Sequence, residues 1–185
     1  QHVAMLFRVT LITRIPLKEH LAEVHWTVSN GLLLASERHL GAEHPIRRLV
    51  KPHTYGAAEV NEASTKALAP VKGLAWRTFG FTKESWPIVM TDQVNAFRLH
   101  TLEEHFAASG LPDDFKHSLP LYRDGLDLYA ITERYVRAYV DIFYADDEAV
   151  LADEELGAYW ADFSVQIPNN VYALPALGKE SLIRQ

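Results

Sequence analysis

Cysteine is absent from this chain of 185 residues, which rules out disulfides, thiol nucleophiles and thiolate metal sites. A basic surplus is absent too: 18 Lys and Arg stand against 24 Asp and Glu, a net charge of −6. A nucleic-acid binder carries a basic footprint, so no nucleic-acid partner is expected. The longest apolar runs, such as "GLLLA", fall far short of the roughly 20 residues that a membrane-spanning helix needs. No signal-peptide pattern opens the chain, and there is no internal repeat or low-complexity tract. What remains is 48% hydrophobic and 23% charged, an ordinary balance for a soluble globular protein with enough residues for a sizeable core. The compartment stays open; a soluble protein is expected, with the cytoplasm favoured over other settings.

The apolar spacing is mostly helical. "TLITRIPLKEHLAEVHWTVSNGLLLASERHL" carries Leu, Ile, Val and Trp at mixed three and four spacing, as a long, heavily buried helix does; Pro16 disturbs its early part. Pro45 suits the first turn of a new helix, with "PIRRLV" running to Pro52. "YGAAEVNEASTKAL" is a third helical stretch, ending at Pro70. "VKGLAWRTFGFTKESWPIVM" reads as a loop-rich, aromatic connection with a short extended piece. Thr101 and Glu104 form a capping-box signature, and Gly110 terminates that helix. "LPDDFKHSLPLYRDG" reads as loop. A long amphipathic helix follows, with Leu126, Tyr129, Ala130, Tyr135, Val136, Tyr139, Val140 and Phe143 on its apolar face. "ADDEAVLADEE" reads as a break before another helix. The tail "SVQIPNNVYALPALG" reads as loop and "KESLIRQ" as the start of a further helix. The chain opens on Gln and stops inside that apolar helix, so an incomplete domain is expected.

Among nine histidines, His20 and His25 raise a geometric question. At about 100° per residue, an α-helix leaves residues five apart roughly 140° from each other. The two rings are unrelated, or the helix widens locally so that both face one ion. His100 and His105 repeat the spacing, which shows how readily it arises without metal. No Glu-x-x-His occurs, which counts against a di-iron carboxylate bundle.

The surroundings of His20 are more specific. Residues 20–68 resemble the lipoxygenase family: His20-x4-His25, then Arg38-His39-Leu40, His44-Pro45-Ile46, Leu49, Pro52-His53, Asn61 and Leu68 follow the family's order at nearly its spacing. "LYRDGLDLYAITERYVRAYVDIFYADDEAVLADEELGAYWADF" and "LPALGKESL" resemble later family stretches, so the resemblance covers most of the chain. It implies an all-α, lipoxygenase-like helical catalytic domain, partial over residues 1–185 and without the β-barrel domain. It implies that the five-spaced pair lies on a helix with a π-type widening, a feature that tends to mark functional sites. It further implies that His20 and His25 bind one non-haem iron, manganese remaining open.

The implied chemistry is dioxygenation of a polyunsaturated fatty acid by O2. An iron-bound hydroxide takes a hydrogen atom from the methylene between two cis double bonds, and oxygen then adds to give a hydroperoxide. Leu68 corresponds to a leucine that presses on the reactive part of the fatty chain. His44, His53 and Asn61 are expected to support the ligands or to pack the helices. His100 and His105 are expected not to bind metal. Arg47 and Arg48 are expected on a solvated face, and neither Glu19 nor Glu23 is expected as a third ligand.

Two departures from the family stand out. One residue more lies between His25 and Leu40. The family's further ligands, a third His, an Asn or His, and a C-terminal Ile carboxylate, have no counterpart here. They are expected from a further segment or a second polypeptide. Two rival readings remain open: an oxygenase or redox enzyme of the same fold acting on a substrate other than a fatty acid, and a metal-free helical binding or structural module.

Overall fold

Helix is the only regular structure among the described residues, which in this computed structural model are 1–95, 100–166 and 174–184. The described residues form an all-α fold, the class expected from the sequence. Chain contacts group it into two units, Gln1–Phe97 with Glu155–Ala173, and Arg98–Glu154 with Leu174–Gln185. None of the described helices is long and apolar enough to cross a membrane.

In the first unit the chain is helical without a break from His2 to His39, in three registers. Helix α1 spans His2–Thr13, a π-helix spans Arg14–Ser29, and α2 spans Asn30–His39. Pro16 falls at the start of the π-register. A proline has no N–H to give and its ring crowds the preceding turn, so a change of register at this point is physically reasonable. Helix α3, Pro45–Thr54, begins on Pro45, and His44 caps it by accepting from Ile46 N–H at 3.1 Å. It continues past Pro52 to Thr54, further than the proline predicts. Gly56, at φ +70°, turns the chain into α4, Ala57–Ala67. A left-handed residue of this kind is a conformation glycine adopts without steric cost.

The aromatic stretch that reads as a loop with an extended piece is instead two short helices, α5 at Leu74–Phe79 and α6 at Ser85–Asn95. Thr82 and Ser85 exchange side-chain-to-backbone bonds of 3.1 Å at the entry to α6. Pro87 then falls in the first turn, where its missing N–H is harmless. Tertiary burial explains why helix wins here. Trp86, 3% exposed, donates Nε1–H to the Ala69 carbonyl at 2.6 Å and joins Leu17, Leu21 and Ala75 in one core cluster. Trp26, Leu68, Trp76, Phe79, Phe81 and Met90 pack against it. Helix α11, Glu154–Gln166, belongs to this unit from Glu155 onward. It is tied to the end of α2 by Asp162, which accepts from Arg38 at 3.1 Å and pairs with His39 at 3.0 Å. Arg47 does not lie on a solvated face. It closes the α2–α3 corner on the Leu40 carbonyl at 2.8 Å and on Glu37 at 2.5 Å, whereas Arg48 stays exposed.

The second unit is organised on α9, Pro120–Phe143, against which α7 (Leu102–Ala108), α8 (Asp113–Ser118) and α12 (Lys179–Arg184) pack. The Thr101–Glu104 capping box is present with both of its bonds. "LPDDFKHSLPLYRDG" is helical over most of its length rather than loop, with two acidic residues in the first turn of α8 where the helix dipole favours them. Gly125 permits the α7 approach, since a Cβ there would meet Leu102 Cδ2 at 2.8 Å. The acidic break resolves into α10, Asp147–Leu151, capped by Asp146 accepting from Ala149 N–H at 2.9 Å. Of the tail that reads as loop, residues 164–166 lie in α11 and residues 167–173 lie outside the described residues.

Candidate metal centre

The π-register answers the question that the five-residue spacing raises. With i→i+5 bonding, residue i+5 comes to lie nearly over residue i. The Nε2 atoms of His20 and His25 are 3.0 Å apart, and the ring centroids 4.8 Å. Thr27, 1% exposed, repeats the register in its side chain: Oγ1–H donates to the Ala22 carbonyl, five residues back, at 2.7 Å. Buried hydroxyls need such a partner, and this one is available only where the turn is wide.

His25 is held from its other side. Its Nδ1 lies 3.0 Å from Oδ1 of Asn61, a residue of α4 that is 4% exposed. Asn61 Nδ2–H in turn donates to Asn30 Oδ1 at 2.6 Å. An amide oxygen only accepts, so with Asn61 in this orientation the neutral His25 ring has its proton on Nδ1 and its lone pair on Nε2, facing His20.

Of the three residues expected to support the pair, the structure brings only Asn61 to it. His44 is a helix cap, and His53 is exposed in the last turn of α3. Glu19 is engaged by Arg14 at 3.1 Å. Leu68 ends α4 and packs into the core cluster that also receives Trp26 and Met90. An open cleft is lined by Trp26, Met90, Thr91 and Asn95. In the second unit, His100 and His105 have ring centroids 5.1 Å apart; both are exposed, and His105 stands edge-on to Phe106.

The donor chemistry of the His20/His25 pair fits iron as two of its ligands. Imidazole suits iron, and the two Nε2 atoms, 3.0 Å apart, converge closely enough that one ion would be within reach of both. The same separation suits a hydrogen bond from His20 Nε2–H to the His25 lone pair. No group of three or more His, Asp or Glu able to hold a metal occurs among the described residues.

Asn30 and Asp162 are not singled out by the sequence reading. Asn30 had one faint signal: it follows His25 by the same five residues that separate His25 from His20, and it opens α2 where the π-helix ends. Asp162 has no such signal, because its partners lie 123 and 124 residues away.

The Lipoxygenase family model matches residues 16–167, and the chain belongs to the lipoxygenase family. It is 30% identical over 155 residues to Lipoxygenase 7, chloroplastic, of Oryza sativa subsp. japonica, covering 77% of this chain and 17% of that protein. It is 26% identical over 162 residues to Seed linoleate 9S-lipoxygenase-3 of Pisum sativum, covering 77% and 18%. It is 28% identical over 163 residues to Lipoxygenase 2, chloroplastic, of Arabidopsis thaliana, covering 75% and 17%. The chain thus spans less than a fifth of the length of these relatives.

Proposed function

We propose that residues 1–185 form a partial lipoxygenase-like domain that supplies two imidazole ligands, His20 and His25, to the non-haem iron of a fatty-acid dioxygenase. The observation that carries this reading is the 3.0 Å approach of the two Nε2 atoms on a π-helix. Iron bound there supplies the one-electron chemistry by which a polyunsaturated fatty acid and O2 become a hydroperoxide. The chain's own part is to hold and orient. Asn61 keeps the His25 lone pair available for the ion. Trp26 and Met90 line an open cleft and offer an apolar surface along which an acyl chain can lie, since ligand sites are mostly apolar with few polar groups. Leu68, packed in the same cluster, backs that surface.

Two histidines do not complete an iron site, and the remaining ligands come from a further segment or from a second polypeptide docked on this one. The test is oxygen uptake with a 1,4-diene fatty acid by the native preparation, alongside its iron content and the masses of its chains. Iron, diene-dependent uptake and loss of both in His25→Ala support the reading. An active native preparation whose iron content is unchanged by His20→Ala and His25→Ala refutes it.

A further inference from the structure

Asn61 can support a metal-ligating His25 in only one of two orientations. A side-chain amide turned over about its last bond keeps its shape while exchanging acceptor for donor. With Oδ1 toward His25, as observed, the ring is protonated on Nδ1 and Nε2 is free to bind an ion. With Nδ2 toward His25, the ring would have to accept at Nδ1 and carry its proton on Nε2, which closes the ligand position. Something must therefore set the direction of Asn61, and on its far side stands Asn30, 31 residues away in sequence, accepting at 2.6 Å.

Asn30 faces the same choice and is directed by an atom that has none. Its Nδ2 is oriented toward the backbone carbonyl of Trp26 at 3.5 Å, the longest link of the set. A carbonyl oxygen can only accept, so Asn30 keeps its own Oδ1 for Asn61. The directions run consistently from end to end: His25 Nδ1–H to Asn61, Asn61 Nδ2–H to Asn30, Asn30 Nδ2–H to the Trp26 carbonyl. The chain makes this compact: the π-helix pairs His20 with His25, Asn30 opens α2 directly after it, and one buried side chain from α4 spans His25 and Asn30.

We infer that Asn30 is a positioning residue for the metal centre, acting through Asn61 to hold His25 in the tautomer that leaves Nε2 open. This rests on the proposed metal role of His25, but its first consequence is visible without metal. Outer partners of metal-bound histidine fix tautomer and ring orientation, and their loss weakens metal affinity about 10–100-fold.

The test uses the full chain, metal-free and 15N-labelled at histidine. Long-range 1H–15N correlation spectra distinguish a protonated Nε2 from a free one. In the wild type, His25 is expected as the Nδ1–H tautomer. Asn30→Leu, which removes the acceptor, is expected to give a mixture of tautomers and to weaken Co(II) binding by about tenfold or more. Asn30→Asp keeps the acceptor and is expected to restore the wild-type pattern. A loss of packing alone would move Co(II) affinity without moving the tautomer. A wild-type His25 protonated on Nε2 overturns the inference even if no variant folds, and so does an Asn30→Leu protein with an unchanged tautomer. A wild-type chain in its native assembly that binds no Co(II) defeats the metal reading, while the tautomer measurement still decides the role of Asn30.

Discussion

His20 and His25 bring their Nε2 atoms to within 3.0 Å of each other, a relationship that a regular α-helix forbids to residues five apart. The π-helix over Arg14–Ser29 creates it. π-Helices are rare and usually short, so a run of this length points to something that benefits from it, and the pair is the polar feature it brings together.

The register should be sensitive to Thr27. Thr27→Val keeps the shape and removes the hydroxyl that bonds the Ala22 carbonyl. We expect a loss of about 1 kcal/mol of stability, measured by urea unfolding. Spectra of His20 and His25 should change more than those of His100 and His105. Unchanged His20 and His25 signals would show that the side chain only follows the register.

Leu68→Ala should separate packing from substrate handling. Truncating a half-buried core leucine costs about 2 kcal/mol, at the low end for such changes. If Leu68 backs the acyl-binding surface, product distribution in the assembled enzyme shifts as well. An unchanged distribution with the same stability loss would make Leu68 a core residue only.

Asp162→Asn should loosen α11 from α2, because it weakens the bonds to Arg38 and His39 together. Arg38 is half exposed, so solvent screens part of the effect. A loss of about 1 kcal/mol is expected for bonds of this type, readable as earlier hydrogen exchange in α11. Exchange rates equal to wild type would contradict it.

In the second unit, Glu180 is held below its ordinary range, chiefly by its hydrogen bonds from Arg137 at 2.8 and 2.9 Å. A carboxylate whose pKa is lowered on folding contributes stability above its unfolded value, about 4.3, and loses it as pH falls through the lower folded value. Arg137→Leu should therefore flatten the acid limb of the stability profile of this unit and leave the profile above neutral pH parallel to wild type. An unaltered acid limb would show that the pair is too solvated to matter.

The sequence carried the helical class, the Thr101–Glu104 capping box, the start of α3, the end of α9 and the family. It carried these because caps, prolines and apolar periodicity act over a few residues. It misread α5, α6 and α8 as loop. Glycine and proline punctuation around Gly80, Pro87 and Pro120 outweighed a weak periodicity there; burial of Ala75 and Trp86 favours helix at α5 and α6, whereas α8 buries no residue and has acidic residues in its first turn. Asn61 was legible through the family's order, whereas His44 shared that order and serves as a helix cap. Asn30 was hidden because its partner lies on another helix, although its five-residue step from His25 repeats the step from His20.

The central claim is that His20 and His25 are two ligands of one ion. Its most direct test is titration of the full chain in its native assembly with Co(II), followed by paramagnetic shifts of histidine ring protons. Saturable shifts at His20 and His25 together, abolished by either His20→Ala or His25→Ala and sparing His100 and His105, are predicted. Saturation that leaves those two rings unshifted, or that survives both substitutions, would contradict the account.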